Sequence, residues 1–130
     1  MPLQIMNEKL YHDRTVQDWH RRVLPPDADA IDIDLFGMCR RSYCRDPLYF
    51  IEATTNPNKP TTILRRLAEK ADAYGIVAEH DTDGITGFRV VFDPTKGKTP
   101  EIACERPGDA LAVLLLWIRK FHAETTHAVA

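Results

Sequence analysis

Long apolar runs are scarce in this chain, as are cysteines and any excess of one charge. The longest unbroken apolar run, Ala110 to Ile118, is too short to cross a bilayer. The opening residues, MPLQIMNEKLYHDR, lack the basic start and apolar stretch of a secretory leader, so a cytoplasmic location is expected. Three cysteines, an odd number, argue against a disulfide framework and fit a reducing compartment. A net charge of −2 gives no overall pull toward nucleic acid. Nothing repeats at a fixed period and no segment is low in complexity, which excludes solenoids and polar tails.

What remains has the composition of a globular protein, with 44% apolar and 28% charged residues. At 130 residues the expectation is one domain over 1–130 with one ordinary core. The periodicities predict its elements. A helix starts near Asp13, with Val16, Trp19 and Val23 on one face, and stops at Pro25-Pro26. AIDIDLFGM alternates as a strand, with Ile31, Ile33 and Leu35 on one side and Asp32, Asp34 and Phe36 on the other. LYFIEAT is a second strand, an antiparallel neighbour of the first.

TTILRRLAEKADAY reads as a helix after Pro60, burying Ile63, Leu64, Leu67, Ala68 and Ala71 and ending at Gly75. IVAEH and FRVVF are strands joined by a hairpin-like turn, DTDGITG. EIAC is a further short strand. RPGDALAVLLLWIRKFHAE is a mostly buried closing helix capped near Asp109. The fold class expected is α/β (α+β), a mixed central sheet flanked by helices.

Charge is unevenly distributed. Residues 1–36 carry seven acids against four bases, and residues 37–70 carry seven bases against three acids. Within this pattern Asp34 ends one strand and Glu52 lies on the next. A hairpin that brings the two carboxylates together offers the oxygen ligands that Mg²⁺ prefers, with Asp32 a weaker third candidate. A metal there activates water and neutralises charge on a phosphate. Arg40, Arg41, Arg45, Arg65 and Arg66 supply phosphate contacts to DNA around it. The plainer alternative is a solvent-facing strand end with acids on its wet side.

The succession of IDIDLF, YFIEAT, a helix and GIVAEH resembles the core of the PD-(D/E)xK nuclease superfamily over roughly residues 13–80. That core has an Asp on one strand and, on the next, an acid, a spacer and a Lys, followed by a helix and a strand. The resemblance implies a restriction-endonuclease-like core, Mg²⁺ held by Asp34 and Glu52, and phosphodiester hydrolysis. The stretch C…CRDPLYFIEAT…K…TTILRRLA is also similar to small phage proteins, which implies an origin and not an activity. The chain departs from the nuclease pattern at the Lys position, which holds Thr54. A threonine brings no positive charge, so the lysine's role passes to Lys59, just before the helix, or to Arg65 and Arg66 one turn into it, or else the domain binds without cutting. The function expected is therefore a metal-dependent nuclease-like, DNA-binding protein, for which a homodimer is one option. The alternative is a non-catalytic phage accessory protein that binds a host protein.

The cysteines offer a rival chemistry. Cys39 and Cys44 have the spacing of a zinc loop, which Cys104 or one of the five histidines could complete. No second tight pair of ligands is recognised, so both are read as small apolar residues flanking a turn, free and without zinc. His80 is read as part of a polar hairpin tip. Trp19 and Trp117 are read as core residues, and Tyr43 and Tyr49 are candidates for stacking on bases.

Overall fold

The computed structural model describes residues 22–23 and 33–127. The chain falls into two units, Met1–Ala30 and Ile31–Ala130. In the first, only Arg22 and Val23 are described, both helical and exposed. The rest of the helix expected from Asp13, and the candidate ligand Asp32, lie outside the described residues.

The second unit is an α+β fold, a four-stranded mixed sheet with two helices. In chain order its elements are β1 (Leu35–Met38), β2 (Pro47–Thr54), α1 (Thr62–Ala71), β3 (Tyr74–Asp81), β4 (Gly84–Phe92) and α2 (Pro107–Thr126). The spatial order of the strands is their sequence order. β1 pairs antiparallel with β2, β2 runs parallel to β3, and β3 pairs antiparallel with β4. The parallel pair is the one joined through a helix, as parallel strands require.

Strand alternation sorts the core into two layers. Phe50 and Val77 face α1 with Leu64, Ala68 and Ala73. Tyr49, Ile51, Tyr74, Ile76 and Ala78 face α2, which presents Leu111, Leu114 and Ile118. Leu64 and Leu114 are each only 1% exposed, and burial of one such side chain contributes about 1.5–3 kcal/mol. In β1, Phe36 stands opposite Phe50 and stacks on it at 4.8 Å. Gly37 stands opposite Tyr49, whose ring occupies the space a Cβ would take. A side chain at residue 37 would displace a core aromatic.

Several expectations are corrected. Regular pairing of β1 begins at Leu35, because Asp34 is a bend. Ile33 consequently packs on the α1 side, whereas Leu35 lines a cavity with Ile51 and Ala78 of the α2 side. The alternation read through Asp34 does not continue across it. The end of α1 is set by Asp72 in the left-handed region (φ 53°, ψ 47°), not by Gly75. Gly75 lies within β3, where an added Cβ would meet Ala68 Cβ at 3.0 Å. It allows α1 to approach the sheet closely.

EIAC forms no strand; only Ile102 packs on the core while Glu101, Ala103 and Cys104 are exposed. α2 caps at Arg106 with Pro107 in its first turn, and Asp109 lies inside that turn. It buries one face only, for Val113 and Leu116 are exposed. Leu67 of α1 is exposed as well, and Tyr49 is 5% exposed, a core residue and no surface for bases. No helix of the described residues is long and apolar enough to cross a membrane.

Candidate metal centre

The connection between β1 and β2 begins with Cys39 immediately after the strand. The Cys39 N–H donates to the Asp46 carbonyl at 2.8 Å, which closes the base of the loop. Within it the N–H groups of Cys44 and Arg45 both donate to the Arg41 carbonyl, at 2.9 and 3.1 Å. Arg45 takes φ 56° to end the turn, as the residue after a single helical turn commonly does. The curl returns Cys44 to the side of Cys39.

Two histidines come from the other end of the sequence. His122 lies in the last turns of α2, and His127 is its C-cap, its N–H donating to the Ala123 carbonyl. Five residues on a regular helix turn the side chain about 140° away. His127 adopts φ −113°, ψ 7°, outside the helical pattern, which allows its ring to reach the same place as that of His122.

The result is a cluster of four. Cys39 Sγ lies 3.4 Å from His127 Nε2, and Cys44 Sγ lies 3.4 Å from His122 Nε2. One ligand atom from each of the four residues lies within 4.8 Å of all the others. Zinc bonded at about 2.3 Å to sulfur and 2.0–2.1 Å to nitrogen in a tetrahedron sets its S···N separations near 3.5 Å. The cluster could therefore hold a metal ion with little adjustment.

The surroundings orient these ligands. His122 Nδ1 lies 3.3 Å from the Thr126 hydroxyl, so that Nδ1–H can donate to it while Nε2 faces the cysteines. The His127 ring packs edge-on against His122 at 4.9 Å and against Tyr43 at 5.3 Å. Desolvation pushes the His127 imidazole below its usual pKa, assisted by Arg41, which favours the neutral form a metal needs. Desolvation also pushes the Cys44 thiol up, so a bound cation would have to drive off that proton.

Cys104 is exposed and takes no part, and none of the three cysteines is in a disulfide. The reading of Cys39 and Cys44 as a pair without partners is thus corrected. The second tight pair is His122 and His127, four residues between them, matching the four between Cys39 and Cys44. The donor set also bears on the expected Mg²⁺. Two sulfurs and two imidazoles suit zinc or another soft or borderline ion, whereas Mg²⁺ requires oxygen.

The residues expected to hold Mg²⁺ lie toward the other end of β2, about 17 Å along the strand from Pro47 at Glu52. Glu52 is 2% exposed, and its Oε1 meets Lys59 Nζ at 2.5 Å. Asp34 directs Oδ2 at the N–H of Ala53, which donates to it at 2.7 Å. The carboxylate thereby takes the part of a backbone carbonyl at the end of the β1–β2 ladder. Thr54, in the motif's lysine position, is buried and accepts the Asn56 N–H at 3.0 Å, a turn-forming role.

The five arginines divide between two places. Arg40, Arg41 and Arg45 are exposed on the cysteine loop, and Arg65 and Arg66 are exposed on α1. His80 is half-buried on β3 and lines the cavity of about 370 Å³ shared with Asp34, Ile85 and Leu111. No family model, curated protein or solved structure matches the chain.

Proposed function

We propose that the protein is a zinc-held nucleic-acid-binding domain in which Cys39, Cys44, His122 and His127 fix a basic loop against the end of α2. The observation that carries the reading is the convergence of four ligand atoms within 4.8 Å. Four protein ligands leave no open position, so the zinc is structural rather than catalytic. Two thiolates balance the charge of the ion, so the arginines beside it stay uncompensated by the centre. Structural zinc binding is worth about 10–16 kcal/mol near neutral pH, comparable to the whole stability of a small domain. The loop is then a rigid platform whose cations meet phosphates without a further ordering cost.

The test is a pair of measurements on purified protein. Zinc should be retained at one ion per chain, and DNA affinity should fall steeply with added salt as counterions are released. Binding that ignores salt, or its absence, favours the host-protein partner of an accessory factor.

A second reading places phosphodiester hydrolysis with Mg²⁺ at Glu52 and Lys59. Asp34 is less favoured as a partner because it lines the cavity on the α2 side with Ile51, whereas Glu52 alternates with Ile51 onto the side of Phe50. What supports it is the 2.5 Å approach of Lys59 to Glu52, the position from which a lysine outside the strand would serve the motif's acid. Nicking of supercoiled DNA that needs Mg²⁺, and that is lost in Glu52→Gln, tests it.

A further inference from the structure

We infer that Tyr43 is a base-stacking platform and that the cysteine loop takes single-stranded nucleic acid; this rests on the zinc-held reading of the same loop. Tyr43 sits at the tip of the turn and is 74% exposed, the most exposed large apolar side chain among the described residues. Its ring is nevertheless held at two points. The Tyr43 hydroxyl accepts a hydrogen bond from Arg41 Nη1 at 2.9 Å, and the ring meets the His127 imidazole edge-to-face at 5.3 Å and 87°. His127 is itself a ligand of the centre, so the metal orients the ring through its own coordination shell.

Arg40, Arg41 and Arg45 flank Tyr43 within six residues of the loop and are all exposed, Arg41 bonded to its hydroxyl, and Asp46 is the one acid next to them in the sequence. An aromatic face among guanidinium groups is the arrangement that binds single strands, stacking bases while cations follow the phosphates. A duplex fits poorly. Its bases are already stacked on one another, and a tight turn is neither the helix nor the two-stranded ribbon that fills a major groove. The exposed arginines account for phosphate affinity alone, whereas the fixed and exposed ring accounts for a preference between strands.

The experiment is fluorescence anisotropy with a labelled oligothymidylate and a duplex of equal length, with zinc content measured on every sample. The single strand should bind more tightly than the duplex. Tyr43→Ala should weaken single-strand binding about tenfold or more, with zinc content and salt slope unchanged. Tyr43→Phe, which keeps the ring, should retain most of the affinity. Arg40→Ala should instead reduce the salt slope by about one. Equal binding of duplex and single strand, or equal losses in Tyr43→Phe and Tyr43→Ala, would overturn the inference. A zinc-loaded protein with no Tyr43-dependent binding overturns it and leaves the metal centre standing. A wild-type protein without zinc overturns the metal centre as well.

Discussion

Cys44 Sγ and His122 Nε2 lie 3.4 Å apart although 78 positions separate them in the chain. The pair, with its counterpart Cys39 and His127, joins the β1–β2 connection to the last turn of α2. Cys39 is buried at the base of the loop, but the loop tip and the helix end are not: Tyr43 is exposed, and Cys44, His122 and His127 are only half-buried. A metal bound there would tie the loop tip to the helix end, where side-chain packing is slight.

Cys44→Ser should therefore abolish zinc retention and lower unfolding stability by more than about 4 kcal/mol, the scale of a lost structural metal. Cys104→Ser, at an exposed residue outside the cluster, should stay within about 0.5 kcal/mol of wild type. Denaturant melts with and without a chelator measure both. Chelator should shift wild type onto the Cys44→Ser curve and leave that variant unmoved.

Asp72 ends α1 with φ 53°, a conformation that glycine adopts without a Cβ penalty. Asp72→Gly should raise stability by about 0.5–1 kcal/mol with no change in zinc content, read from the same melts. A loss of stability would mean that the Asp72 side chain makes a contribution beyond its backbone.

Much of this architecture was legible in the sequence, for reasons that also mark where legibility ended. The β1–β2 pairing, the helical crossover and the final hairpin follow from alternation and turn residues, which are local signals. Gly75 looked like a helix stop because glycine is common after helices; tight packing of α1 on β3 required it instead, and that is a tertiary demand. Asp34 broke the strand's alternation because its carboxylate was needed at the Ala53 N–H. The histidine pair was visible as H-x4-H, yet it fell at a helix end where a regular helix would separate the two rings. Only the departure of His127 from the helix brings them together, and no local pattern announces that.

Lys59→Ala should leave Glu52 buried without its cation. The cost should be about 2 kcal/mol, below that of a fully buried pair because Lys59 is partly exposed. Glu52→Gln, which removes the charge and keeps the shape, should cost less in the same urea melts. On the hydrolytic reading both variants lose Mg²⁺-dependent nicking. If neither wild type nor variants nick DNA with Mg²⁺ or Mn²⁺, the pair is structural.

The Asp93 carboxylate gives a pH dependence. Desolvation works against its charge, but hydrogen bonds from Thr95 and Thr99 outweigh this and hold its pKa below the ordinary value. The contacts are 2.7 Å from Thr95 N–H, 2.6 Å from its hydroxyl and 2.7 Å from Thr99. A depressed carboxyl pKa contributes stability that is fully present above the unfolded value, near 4, and is lost as pH falls through the folded value. Thermal melts of wild type should fall away below about pH 4. Asp93→Asn should be less stable at neutral pH and show a shallower acid limb; an unchanged limb would assign the loss to other groups, protonation of the cysteine and histidine ligands among them.

The metal centre itself is tested most directly by X-ray absorption at the zinc edge on protein purified without added metal. The account predicts a zinc signal whose first shell contains two sulfurs at about 2.3 Å and two nitrogens at about 2.0 Å. A protein that retains no zinc, or a first shell of oxygen and nitrogen alone, would contradict it.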